Sequence, residues 1–212
     1  TDRARFARYV RTGQLALAYP VGVGLAAVAG AAHPLVELVL GSRWLPSAQL
    51  VQFLAIAGIF QTLAFVGSWV YLAYGLTGEL MRYTILSTGI RLTCIIVGSN
   101  WGVVGVAVGY ALAPMIAWPI SLWWLSRLAP IPLRSLYEGA SRILVAGSAA
   151  GVAASLTVGL LGEEALLLQV SLAFAAALAS VAILAAALRP VRRDLRLVLR
   201  VVSAALTRHR GS

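Results

Sequence analysis

Residues 83–101 read YTILSTGIRLTCIIVGSNW, and Arg91 is the only charged side chain among them. Thr84, Ser87, Thr88, Arg91, Cys94 and Gly98 recur at spacings of three and four, which places them on one face of a helix. At 1.5 Å of rise per residue, Arg91 lies about 13 Å along the axis from Arg82, far from a helix end where it could reach water. A guanidinium at mid-membrane costs about 2.5–3.5 kcal/mol on insertion scales, so something must compensate it. Glu37, Glu79, Glu138, Glu163 and Glu164 all fall near the ends of apolar runs, so no acid of this chain is placed to do so. A second run carries a comparable stripe: Ala57, Gln61, Ala64, Ser68, Tyr71 and Gly75. Two such faces together predict a hydrated, cation-lined cavity built from Arg91, Thr84, Ser87, Thr88, Gln61 and Ser68. The chemistry on offer is recognition of an anion. A competing reading has Arg91 tying helices together through carbonyl hydrogen bonds, with the small residues serving only close packing.

Catalytic chemistry has no visible seat. No nucleophile–base constellation, glycine-rich phosphate loop or metal-ligand spacing appears, so neither an enzyme nor a cofactor is expected. Cys94 is the lone cysteine, which excludes an intrachain disulfide. His33 and His209 have ligand spacing to nothing. Gln49, Gln52, Gln61 and Gln169 are candidates for hydrogen bonds between helices.

The elements that must position Arg91 follow from composition. Of the 212 residues 60% are hydrophobic and 11% charged, against about 25% charged in a soluble domain. Stretches without acidic or basic residues cover 12–36, 44–78, 92–126, 143–162 and 165–188. Each is long enough to cross a bilayer as a helix, for which about 20 residues suffice. The chain is therefore read as an all-α polytopic membrane protein. Its six spans are placed at about 13–32, 47–74, 80–99, 102–126, 143–162 and 165–188. All seventeen basic residues are arginine, and fifteen of them alternate onto one side of this layout; Arg43 and Arg91 are the exceptions. Positive residues collect on the cytoplasmic side, so both ends of the chain are expected there. That also makes the net charge of +10 a matter of membrane orientation and not of nucleic-acid binding. Trp44 and Trp101 fall at the outer boundary, with Trp69, Tyr71, Tyr74, Trp123 and Trp124 toward the inner one, as two aromatic belts. Residues 33–46 form the longest outer loop, with room for one short surface helix.

Gly105 and Gly109 make a GxxxG step in the fourth span, which permits close helix contact. Pro20, Pro114 and Pro119 free backbone carbonyls and should bend their helices. Four regions result: 1–126 with four spans, 127–142 as a cytoplasmic loop broken by Pro130 and Pro132, 143–188 as a pair of spans, and 189–212 as a basic tail. In that tail Arg189, Arg192, Arg193, Arg196 and Arg200 recur at threes and fours beside a stripe of Leu195, Leu199, Val202 and Leu206. This is a basic amphipathic helix suited to lie on anionic membrane lipids, or else a solvated tail that enforces topology. The chain opens on Thr1 and a cluster of arginines, which is expected of a piece of a longer protein.

The order and spacing of several features resemble a known family. Pro20 sits in an apolar helix and is followed by Leu38, Leu40, Gly41 and Trp44 as LxLGxxW. A long helix then ends at Tyr74 and Gly75, the next bears Arg91, and the sequence GVVGVAVGYA runs from Gly102 to Ala111. This resembles the C-terminal half of bacterial polysaccharide and O-antigen flippases of the Wzx kind, in the multidrug/oligosaccharidyl-lipid/polysaccharide exporter superfamily. The resemblance covers residues 1–130; the last two helices match in position and apolarity. It implies a lobe of four helices plus a C-terminal pair, a missing N-terminal lobe, and residence in the bacterial cytoplasmic membrane. It also implies alternating-access transport of a polyprenyl-diphosphate-linked oligosaccharide for surface polysaccharide biosynthesis, with Arg91 facing the cavity between lobes. Three alternatives stay open: a drug/cation antiporter of the same superfamily, a membrane-embedded polysaccharide polymerase or ligase, and a non-transporting membrane scaffold.

Overall fold

In hydrocarbon a backbone must satisfy its own hydrogen bonds, so apolar runs of this length are obliged to be helical. The computed structural model describes residues 2–129, 133–162 and 165–209. They form α1 (Asp2–Gly30), α2 (Ala32–Leu40), α3 (Ala48–Ala73), α4 (Thr77–Ser99), α5 (Gly102–Leu128), α6 (Leu133–Leu161), α7 (Leu166–Ala187) and α8 (Arg189–His209). No strand occurs among the described residues. Six helices are long and apolar enough to span a membrane, which makes this an all-α polytopic membrane protein. The connections are tight. Gly75 (φ 68°) and Gly102 (φ 71°) supply left-handed backbone between α3 and α4 and between α4 and α5, where a side chain would be strained.

Two helices begin earlier than their apolar runs. α1 starts at Asp2 and not near 13, and α6 starts at Leu133 and not near 143. Most of the expected 127–142 loop is therefore helix. Arginine ends a hydrophobic run but is itself a good helix former, so the helix continues past the point where the membrane pattern stops. Pro130, Pro132, Glu163 and Glu164 lie outside the described residues. The 33–46 connection is occupied by α2 and a 3-10 turn at Ser42–Ser47, whose Ser47 hydroxyl donates to the Trp44 carbonyl (2.7 Å). Pro34 falls in the first turn of α2, where its missing N–H leaves no helical bond unmade.

The spans pack in the order α4–α5–α3–α1–α6–α7. Small residues set the separations. The buried face of α6 carries Gly139, Ala140, Ala146, Gly147, Ala150 and Ala154. It approaches α1 so closely that a Cβ on Gly30 would fall on the Gly151 carbonyl oxygen. In lipid, van der Waals contact of this kind replaces the hydrophobic effect as the source of helix association. Tyr71, expected in an aromatic belt, is fully buried in the core. Trp44, Trp69, Tyr74, Trp101 and Trp123 are exposed. At the far end of the row α4 rests mainly on α5, and Gly98 is its one buried residue.

Candidate anion-binding cleft

The open side of α4 faces a cleft of about 260 Å³ between α3, α4 and α5. Its walls bring Gln61 and Ser68 of α3 together with Thr84, Ser87 and Arg91 of α4. Five of the six residues expected to share a cavity therefore share this one. Thr88 is exposed on α4 but does not line it, being one residue round the helix from Ser87. Pro114 of α5 also lines the cleft; lacking an N–H, it leaves the Tyr110 carbonyl without its helical donor.

Arg91 is exposed, and its guanidinium carbon stands over the Tyr110 ring, 5.5 Å from the centroid. Among the described residues it makes no ion pair and donates to no carbonyl. The reading of Arg91 as a tie between backbones thus finds no bond to support it. Tyr110 is itself fixed, because Gln61 Nε2 donates to its hydroxyl (3.2 Å). A cation held on a ring face keeps its N–H groups uncommitted, since the attraction comes from the ring quadrupole and not from an acceptor. Around it the hydroxyls of Thr84 and Ser87 donate to their own helix, to the Leu80 (2.8 Å) and Thr84 (3.0 Å) carbonyls. Their oxygens remain acceptors. The result, among the described residues, is one positive charge with free donors, ringed by neutral acceptors, and no lining carboxylate.

Toward the arginine-rich end the cleft is lined by Tyr83. Tyr83 stacks on the buried Tyr71 (centroids 6.2 Å apart, 10° between planes) and donates to the Ala117 carbonyl (3.2 Å). One turn below, Glu79 accepts from Arg82 (2.6 Å) and from the Trp124 indole (3.2 Å), tying the start of α4 to the end of α5. At the other end the two helices meet through glycine. A Cβ on Gly105 would fall on the Gly98 carbonyl oxygen, and one on Gly109 on the Cys94 carbonyl oxygen. Cys94 and Gly98, grouped with Arg91 in the sequence stripe, turn to this contact and away from the cleft.

Larger openings exist but offer less chemistry. One of about 640 Å³ lies between α1, α3 and α6, and of its polar side chains Gln52 donates to the Ala29 carbonyl (3.2 Å) and Ser155 to the Val152 carbonyl (3.0 Å). Another of about 420 Å³ beside the glycine contact is almost wholly apolar.

Four residues with roles here were invisible to residue spacing. Tyr110 sits in an apolar run with nothing to mark it. Glu79 and Trp124 are far apart in sequence. Asp194, flanked by arginines, is 3% exposed and binds Arg142 of α6 (2.6 Å) and Arg11 of α1 (3.7 Å). Arg189, Arg192, Arg193, Arg196 and Arg200 are exposed on α8, as a surface helix requires. Its apolar side, however, is turned onto α1 and α7 through Val191 and Val198, and Leu199 of the expected stripe is exposed instead. No protein-family model matches the chain, and comparison with curated proteins and with solved structures finds no similar one.

Proposed function

We propose that this chain is the C-terminal part of a flippase that moves a polyprenyl-diphosphate-linked oligosaccharide across a bacterial cytoplasmic membrane. The arginine-rich ends of the helices are cytoplasmic, as the positive-inside rule requires. The observation that carries the reading is Arg91: a guanidinium at mid-span, supported on Tyr110 and hydrogen-bonded to nothing, in a cleft of neutral acceptors. Such a group matches the diphosphate, because arginine presents a planar fork of donors to two oxygens at once. Gln61, Ser68, Ser87 and Thr84 suit the hydroxyls of attached sugars. No bond is made or broken in this scheme, and no cofactor is needed. Alternating access would come from a second lobe meeting the open α3–α4 side.

A cation antiporter would want a carboxylate where this cleft has an arginine, and among the described residues none lines it. The resemblance to polysaccharide flippases points the same way. The test is export of lipid-linked glycan by the intact protein carrying Arg91→Ala or Arg91→Lys. Alanine is expected to abolish export at normal expression, and lysine to restore part of it. Undiminished export with alanine overturns the assignment.

A further inference from the structure

Amphipathic α8 has two faces, and the structure has already used one. Val191, Asp194 and Val198 are buried against the bundle. The Asp194 pairs with Arg142 and Arg11 fix that face in place. With Val191 and Val198 committed to protein, Leu199 is the one large hydrophobic left exposed among the described side chains of α8, which is too little apolar surface to anchor the helix in acyl chains. The opposite face remains. Arg189, Arg192, Arg193 and Arg196 fall within an arc of about 100° on an α-helix, and all are exposed. The one acid of the helix whose side chain is described, Asp194, lies on the far side and is taken.

The level of α8 follows from its partners. It begins two residues after α7 ends, with Leu188 extended between them. Arg11 and Arg142, which hold Asp194, border the uncharged parts of their own spans. Both ends of the segment from Arg189 to Asp194 are thus held where the hydrocarbon stops. That is headgroup depth, and the arginine arc is displayed there on a helix that cannot roll.

We propose that the arginine face of α8 binds the phosphate groups of anionic phospholipids, as a rigid electrostatic contact locked to α1 and α6 through Asp194. It does not insert. The contact is independent of what the cleft carries. Each arginine near an anionic surface contributes about fivefold to affinity, falling with salt.

The experiment places the full chain in nanodiscs of phosphatidylcholine alone or of phosphatidylcholine mixed with phosphatidylglycerol. Amide hydrogen exchange of α8 is then followed by mass spectrometry. Exchange is expected to be severalfold slower in the phosphatidylglycerol discs, and high salt should remove the difference. The variant R192Q/R193Q/R196Q should lose it too; glutamine keeps helix propensity and the docked face is untouched. Equal exchange of the unaltered chain in both discs overturns the proposal and leaves the arc to an acidic macromolecule. Protection that persists in the glutamine variant also overturns it, because the contact would then be apolar.

Discussion

Arg91 and Tyr110 act as a pair, and the physics of the pair can be separated from that of either residue. A cation–π contact contributes about 0.5–2 kcal/mol depending on how far it is desolvated. If Tyr110 holds the guanidinium toward the cleft, Tyr110→Leu should weaken the apparent affinity for lipid-linked glycan by roughly twofold to thirtyfold, with a smaller change in maximal rate. Tyr110→Phe keeps the ring, loses the Gln61 bond, and should retain most of the affinity. Initial export rates at graded substrate in proteoliposomes would read this; equal losses for leucine and phenylalanine would contradict the role. Asp194 makes a different case. Its carboxylate is buried while Arg142 is 19% and Arg11 45% exposed, so the Arg142 pair is the costly one to break. Asp194→Ala should cost roughly 3 kcal/mol by leaving that guanidinium unpaired. Arg142 Nη2 already lacks a partner, which leaves Asp194 as its main compensation. Replacing both, as Asp194→Leu with Arg142→Met, should recover most of the loss in thermal unfolding in detergent, because a well-packed apolar pair can substitute for a buried ionic one.

Among the elements, the α4–α5 hairpin decides whether the cleft exists. It is clamped by backbone contact at Gly98, Gly105 and Gly109 and by Glu79 with Trp124 at the other end. Gly105→Leu should push the helices apart and cost about 1–3 kcal/mol, as overpacking of a filled site does. Thermal stability should fall, and export with it, although Arg91 is unchanged. A substitution at Gly89, whose added Cβ would meet nothing, should leave both intact as the matched control. The hairpin was half legible in the sequence. Glycine spacing marked the α5 side of the contact, because close approach demands a missing Cβ at every turn. The α4 side was read as part of the cavity, since one stripe of small residues can face two things and periodicity does not say which. The early starts of α1 and α6 were hidden for a related reason: hydropathy reports where lipid ends, not where the helix does. The docking of α8 was hidden because an aspartate among arginines reads as solvated until its partners on two other helices are in place.

For the whole molecule, the six spans were fixed by composition alone, since few soluble folds tolerate such runs. Their order in space was not. The row α4–α5–α3–α1–α6–α7 depends on which small residues face one another across helices distant in sequence. The proposed orientation yields its own check. Reporter fusions after residue 128 or after the end of α8 should be active only in the cytoplasm, and fusions in the Ser42–Ser47 turn only outside it. The glycine contact of α4 with α5 reaches further than stability. Where two backbones touch, drift has almost no neutral paths: nothing larger than glycine fits until the partner helix moves. Descendants of a common ancestor with this chain should therefore hold the columns of Gly98, Gly105 and Gly109 nearly constant while the lipid-facing positions between them wander freely. If the columns of Arg91 and Tyr110 change, they should change together.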